Sequence, residues 1–325
     1  MILIISNEFD QSTNDVIKYL YKKKQKYIRL GIKQFISSIR IEFVNEISIK
    51  FIVSNKIIDL KEITSFWYRK HFIELLPQVG FHLEESEQVI NFQHAKEYFT
   101  KKDINSLRDF LIFELSKKRH LGNLYEQDGN KLISFSIALD CGLNIPRTYI
   151  SSNVKYLYKI FKTEKDLIVK PVEDAFGYIN KNISISAPYH IATEKIFQNT
   201  YDEVLPSCLQ QYLEKKIELR IFYLNGKLWS LAIFSQFDDN TKIDFRNYNK
   251  EKPNRMVPYV LPKSIASKLR KFMKRMQLNT GSIDMILTRN NKYIFLEVNP
   301  VGQYGMIGLQ CNYNLDEKIA NFLLK

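Results

Sequence analysis

The chain has 325 residues, 45% of them hydrophobic, and 48 Lys and Arg against 35 Asp and Glu give it a formal net charge of +13. That length accommodates two or three domains, while no apolar run approaches the roughly 20 residues that cross a bilayer as a helix, and Met1-Ile2-Leu3-Ile4-Ile5 reads as a first strand and not as a secretory signal. Three sources of the positive charge compete: nucleic acid, anionic substrates such as nucleotide phosphates and acidic peptide side chains, and a Lys-rich composition. The basic residues are spread along the chain without a zinc-finger or RNP-like motif, which puts nucleic acid last.

In chain order, residues 2–5 predict a buried strand and residues 6–12 a polar turn. A helix follows, capped by Thr13 or Asn14, with Val16, Ile17 and Leu20 at helical spacing and Lys22-Lys23-Lys24 at its end, where cations suit the dipole. This strand–turn–helix opens a βαβ-type unit that lacks a glycine-rich phosphate loop. Alternating pieces at 27–30, 39–43 and 47–53 predict strands with one solvated face. Residues 65–70 form another strand ending in Arg69 and Lys70, either an anion contact or a solvated strand end. An amphipathic helix over 83–117, with Leu107, Phe110, Leu111, Phe113 and Leu115, closes the first domain.

A connector at 120–123 precedes a helix led by Asn130-Lys131-Leu132 and stopped by Gly142. Then come a strand after Pro146, a helix over 154–162, a strand over 167–171 and a strand-like run over 208–213. The runs 218–224 and 228–234 flank Asn225-Gly226-Lys227, and Asn-Gly between β-rich runs signals a hairpin. A helix over 264–276, capped by Ser264, turns Ile265, Leu269, Phe272, Met273 and Met276 toward a core. Residues 282–287 pair with 293–298 through the turn 289–291. Cys141, Cys208 and Cys311 are widely spaced and read as free thiols of a reducing cytoplasm.

The last strand breaks its own pattern. Tyr293-Ile294-Phe295-Leu296 is apolar, but Glu297 and Asn299 follow, and alternation puts those two on one face. Pro300 ends the ladder. Asp284 faces Glu297 across the hairpin. Two carboxylates this close repel unless a cation joins them. Hard oxygens of this kind suit Mg²⁺, which takes one or two carboxylates plus nucleotide phosphates; a polar strand rim before a turn is the plain alternative. Lys131 and Lys170 read as isolated strand-end lysines, either phosphate contacts or solvated ends.

In this order Asn130-Lys131-Leu132, Ile145-Pro146-Arg147-Thr148, Val169-Lys170-Pro171, Gln210-Gln211-Tyr212-Leu213, Glu218-Leu219-Arg220, Asp244-Phe245-Arg246-Asn247, Ser282-Ile283-Asp284 and Leu296-Glu297-Val298-Asn299-Pro300 resemble the motifs of the ATP-grasp carboxylate–amine ligases, over residues 120–303. The resemblance implies an α/β (α+β) ATP-grasp fold, with an N-terminal pre-ATP-grasp domain over 1–118, a central lid over 119–206 and a C-terminal grasp domain over 207–325. ATP would lie between the last two. The implied reaction activates a carboxylate as an acyl phosphate for a nucleophile to attack, with ADP released. By position, Lys131 and Lys170 would contact the α- and β-phosphates, Gln211 and Leu213 adenine, and Glu218 the ribose. Arg220 and Arg246 would stabilise the transferring phosphoryl group or hold the acyl phosphate. Asp284, Glu297 and Asn299 would bind two Mg²⁺. Where the family has a glycine-rich lid loop, Val172-Glu173-Asp174-Ala175-Phe176-Gly177-Tyr178 has one glycine and two acids.

Within the superfamily, Phe66-Trp67-Tyr68-Arg69-Lys70, Leu121-Gly122-Asn123, Asp244-Phe245-Arg246 and Asn254-Arg255-Met256-Val257-Pro258-Tyr259 resemble the maturases of graspetides, of the microviridin and grasp-with-spasm kinds. These imply a precursor-peptide substrate with a leader and an acidic, hydroxyl-bearing core. Its acidic side chains would be joined to Ser, Thr or Lys side chains as esters or amides, with Arg246, Arg255 or Arg69 holding the acid. A homodimer in the cytoplasm, with no membrane partner, is also implied. Two other readings stand beside this one: an ATP-grasp ligase of the glutamate-adding or glutathione-synthetase kind, and a non-catalytic nucleic-acid- or peptide-binding module with a degenerate nucleotide site.

Overall fold

The apolar run at the start of the chain becomes β1, Ile2–Ser6, a strand buried along its whole length. Burial on both faces belongs to the inner strand of a parallel sheet. A computed structural model describes residues 1–70, 73, 75, 87–122, 130–172, 177–179, 184–186, 189–198, 202–236 and 253–325. The chain divides into two units, one of residues 1–127 with 314–325 and one of residues 128–313. Among the described residues no helix is long and apolar enough to cross a membrane.

In the first unit β1 is followed by α1, Gln11–Lys22, and β2, Tyr27–Leu30. Then come β3, Ile36–Phe43, β4, Ile47–Val53, β5, Lys56–Asp59, and β6, Ser65–Lys70. Helix α2, Glu87–Ser116, and β7, Arg119–Leu121, complete the segment. Strands β2, β1, β6 and β7 form a parallel sheet in that order, so residues 119–121 lie in this sheet. Strands β3, β4 and β5 form an antiparallel sheet of their own, β5 being a strand the sequence reading passed over. The chain returns at its end: helix Leu315–Leu324 packs on α1, and Ser65 Oγ donates to Leu323 O at 2.7 Å.

The start of α1 differs from expectation. Its N-cap is Asp10, not Thr13 or Asn14. Thr13 is wholly buried one turn in and donates its Oγ1 to Asp10 Oδ2 at 2.7 Å. The same carboxylate oxygen accepts from Arg69 Nε at 3.0 Å. Arg69 is only 2% exposed, so it is a buried ion-pair partner and not a solvated strand end or a free anion contact. The Lys70 side chain lies outside the described residues.

The second unit begins with α3, Lys131–Asp140, capped by Asn130, whose Oδ1 accepts from the Leu132 and Ile133 amides at 2.9 and 3.2 Å. Next are β8, Thr148–Asn153, α4, Val154–Thr163, β9, Leu167–Lys170, β10, Gly177–Ile179, β11, Ser184–Ser186, and β12, His190–Ile191. Helix α5, Glu194–Phe197, leads to β13, Glu203–Gln211. Strands β14, Lys215–Leu224, and β15, Lys227–Phe234, form the expected hairpin. Its turn residues Asn225 and Gly226 have φ of 42° and 88°, as a type I′ turn requires. Then follow β16, Arg255–Tyr259, α6, Lys263–Arg275, β17, Thr280–Thr288, β18, Tyr293–Asn299, and α7, Gly305–Cys311. Helix α6 starts at Lys263 with Pro262 as its N-cap, two residues before the expected cap Ser264.

Two antiparallel sheets carry the rest, ordered β12-β9-β13-β8 and β16-β15-β14-β17-β18, with β10 and β11 paired separately. Odd-numbered residues of β14 from Ile217 to Tyr223 join Phe135 of α3 and Leu269, Phe272 and Met273 of α6 in one core. Phe272 and Phe295 meet there at 4.8 Å between ring centroids; burying each ring contributes about 1.5–3 kcal/mol. The opposite face of β14, with Glu218 and Arg220, is left for chemistry.

Candidate functional site

Register assembles the site. Arg220 of β14 pairs with Asp284 of β17, and Asp284 pairs with Glu297 of β18, so three charged residues stand in a row across the sheet. Asn299 is paired with Ser282 two residues along, on the same face. A bulge makes this row compatible with the core. Between Asp284↔Glu297 and Met285↔Phe295 the register shifts, leaving Leu296 as the extra residue. Without it Phe295 and Glu297 would share a face; with it Phe295 enters the core while Glu297 lines a cleft.

The cleft, open to solvent, lies between the two large sheets of the second unit. Lys170, Gln211, Leu213, Glu218, Arg220 and Asp284 all line it, together with Glu297. Seven residues singled out from sequence are therefore brought to one cavity. Lys131 joins them through Glu297: its Nζ is 2.6 Å from Glu297 Oε2, and Lys131 is 6% exposed. It is the first residue of α3, in the helix that Asn130-Lys131-Leu132 was expected to lead, and not a strand-end lysine. Lys170 is the last residue of β9, as expected, and its Nζ stands 5.8 Å from the Tyr189 ring centroid. Cys208 marks the space near the two lysines. Burial pushes its thiol up, and the charges of Lys170 and Lys131 pull the other way.

Each carboxylate has a cation of the protein's own. Arg220 Nε is 3.7 Å from Asp284 Oδ1, and Lys131 is on Glu297. The cation that two such carboxylates require is therefore supplied, at least in part, by the chain's own Lys131 and Arg220. Arg220 Nε is a buried donor without a hydrogen bond among the described residues. Such a donor costs free energy until an acceptor arrives, and an anionic group in the cleft would supply one. Arg220 Nη2 is 3.4 Å from Gln303 Oε1. Asn299 Oδ1 accepts from the Val301 amide at 3.1 Å, and an amide oxygen has a second lone pair for another partner. Hard oxygens on Asp284, Glu297 and Asn299, with cations on Lys131, Lys170 and Arg220, fit Mg²⁺ bound with a polyphosphate.

At the other end of the cleft, the Gln211 amide donates to Arg147 O at 2.9 Å and the Tyr212 amide to Asp166 O at 2.7 Å, which ties the strand β13 to its surroundings. Leu213 lies in the short link to β14. Glu218 Oε1 accepts from Lys215 Nζ at 2.8 Å and from Ser235 Oγ at 2.6 Å. Sequence reasoning missed Lys215, Ser235, Gln303 and Tyr189. Lys215 carried a signal only in its closeness to Glu218, and three residues apart on a regular strand means opposite faces. Arg246 and the whole of Asp244-Phe245-Arg246-Asn247 lie outside the described residues, as do Asn123 and residues 173–176 of the glycine-poor loop. Arg255, at the start of β16, sits 5.4 Å from the Phe234 ring centroid.

Solved structures resemble the chain over its whole length. A RiPP-associated ATP-grasp ligase from Chryseobacterium gregarium, in complex with ADP and a leader and core peptide, is 21% identical, with a TM-score of 0.79 over 99% of this chain and 96% of that one. Macrocyclase MdnC from Microcystis aeruginosa MRC, bound with precursor peptide MdnA, is 26% identical, with a TM-score of 0.75 over 100% of this chain and 99% of that one. ATP-grasp ligase PsnB, complexed with minimal precursor, Mg and ADP, is 12% identical, with a TM-score of 0.71 over 99% of this chain and 97% of that one. No protein-family model matches the chain, and no curated protein matches it.

Proposed function

We propose that the chain, whose fold is that of the ATP-grasp ligases, is an ADP-forming ligase that closes rings within a ribosomally made precursor peptide. The observation that carries this is the row Arg220–Asp284–Glu297, flanked by Lys131 and opening on a cleft with Lys170 and Glu218. A binding module has no need of clustered carboxylates facing buried cations. Likeness to ligases solved with precursor peptides favours a peptide over a small acid as the substrate, and a net charge of +13 suits acidic side chains in it.

In this reading an oxygen of a peptide carboxylate attacks the γ-phosphorus of ATP, the bond to the β-phosphate oxygen breaks and ADP leaves. A hydroxyl or amine of the same peptide then attacks the acyl carbon, loses its proton and expels phosphate, leaving an ester or an amide. Lys131 and Lys170 hold phosphate oxygens, Gln211 and Leu213 flank adenine, and Glu218 receives the ribose. Arg220 and Arg246 hold the charge that develops between carboxylate and phosphoryl group. Asp284, Glu297 and Asn299 would hold two Mg²⁺, which when bound neutralise phosphate charge. The sheet β12-β9-β13-β8 acts as lid and the sheet β16-β15-β14-β17-β18 as grasp domain, while residues 119–121 pair in the sheet of the first unit and the helix Leu315–Leu324 packs on α1 there. The working form is a cytoplasmic homodimer that takes a leader-bearing peptide with an acidic, hydroxyl-rich core.

The test is intact mass after incubation with Mg-ATP and a precursor peptide. Loss of one water mass per bond, with ADP released, is the expected result. ADP release with consumption of a free amino acid or amine and no ring would move the protein to the ordinary ligases. No ADP under either condition would leave a binding module.

A further inference from the structure

Lys215 and Ser235 have no part in the roles above, yet they are 3% and 0% exposed and both serve one atom. Lys215 Nζ and Ser235 Oγ donate to Glu218 Oε1 at 2.8 and 2.6 Å. Glu218 is 8% exposed and lines the cleft. The last torsion of a glutamate is broad and turns with little resistance, and two charge-assisted or short bonds on one oxygen remove that freedom. The backbone is shaped for the contact. Lys215 pairs with Thr288 and Ile217 with Leu287, so Lys216 is a bulged extra residue. The bulge turns Lys215 to the face of Glu218. Ser235 comes from the next strand, just past Phe234 at the end of β15. A lysine this deep is costly without its counter-charge, and an apolar pair of similar volume would stabilise the fold as well or better.

We propose that Lys215 and Ser235 are positioning residues that clamp Glu218 by Oε1 and so aim Oε2 at the vicinal hydroxyls of the nucleotide sugar. This rests on the reading that places Glu218 at the ribose. Selectivity for the sugar is then the property the clamp controls, apart from nucleotide affinity as a whole.

The test compares binding of Mg-ADP and Mg-2′,3′-dideoxy-ADP to the full chain by calorimetry. The unmodified protein should prefer ADP by about tenfold or more, because the dideoxy sugar leaves a charged acceptor without donors. Ser235→Ala and Lys215→Met should each cut that preference by about threefold or more, with the dissociation constant for dideoxy-ADP unmoved. A merely structural role would weaken both nucleotides alike, and that result, or an unchanged ratio in Ser235→Ala, overturns the clamp. If Lys215→Met does not fold, Ser235→Ala decides alone. Glu218→Gln separates the proposal from its premise. If that variant keeps the full preference, the ribose reading falls and the clamp with it. If it loses the preference while Ser235→Ala retains it, only the clamp falls.

Discussion

Lys131 Nζ and Glu297 Oε2 are 2.6 Å apart, although the residues come from the first turn of one helix and the end of the last strand of its sheet. A cation at a helix N-terminus opposes the dipole, and the carboxylate offsets that cost. The same carboxylate is the proposed metal ligand, so cation and metal share one group. Glu297→Gln and Asp284→Asn should each lower the rate of ATP-dependent ring closure by about 100-fold or more, followed as loss of water mass at saturating Mg-ATP. A variant that keeps its rate would remove that residue from the metal site.

Arg69 and Asp10 form a buried pair at 3.0 Å in the first unit, with side chains 2% and 11% exposed. Arg69→Ala removes the buried guanidinium from Asp10 and should cost about 3–5 kcal/mol, read from the urea midpoint. Adding Asp10→Asn should recover part of the loss, since the two residues act on each other. An Arg69→Ala protein of unchanged midpoint would mean that water or another donor replaces the guanidinium.

Glu8 ties the loop after β2. Burial pushes its carboxyl up, but the amides of Lys33 and Ile32 and the Arg29 charge outweigh it and hold the carboxyl below its ordinary value. A depressed folded value means stability present above the ordinary glutamate range and lost as pH falls through the folded value. Denaturation midpoints between neutral and acid pH should therefore fall less steeply in Glu8→Gln than in the unmodified chain. Equal slopes would show that Glu8 contributes nothing to acid sensitivity.

Gly302 follows the proposed ligand Asn299 with φ of +70°, and a Cβ there would lie 3.1 Å from the Phe222 ring and 3.2 Å from Thr280 Oγ1. Its amide donates to Asn299 O at 3.1 Å. Gly302→Ala should cost about 1–2 kcal/mol for the left-handed backbone alone and should raise the Mg²⁺ concentration needed for half-maximal rate. Stability lost with an unchanged Mg²⁺ requirement would uncouple the loop from Asn299.

Local chemistry made much of this legible in the sequence. Asn-Gly marked the β14–β15 hairpin, Asn130 marked the start of α3, and alternation put Glu297 and Asn299 on one face opposite Asp284. Alternation failed where the strands do not alternate. The bulges at Lys216 and Leu296 invert faces, and neither residue type announces a bulge. Long-range partnership was hidden too. Arg69 at a strand end looks solvated until Asp10, 59 positions away, is folded onto it. Helix Leu315–Leu324 carries the pattern of any amphipathic helix, with nothing local to say which unit it covers.

The bond between Ser65 and Leu323 spans 258 positions of chain, and that spacing orders events during synthesis. At translation speeds, the strand that holds Ser65 waits on the order of 10–50 s for the helix that caps it. The second unit is one uninterrupted stretch and can close in that interval. The first unit is then the later of the two to finish, although its strands are made first. A permuted gene that starts at residue 314 and runs through Met1 would deliver the capping helix ahead of the sheet, and should shorten the time the nascent chain spends sensitive to protease.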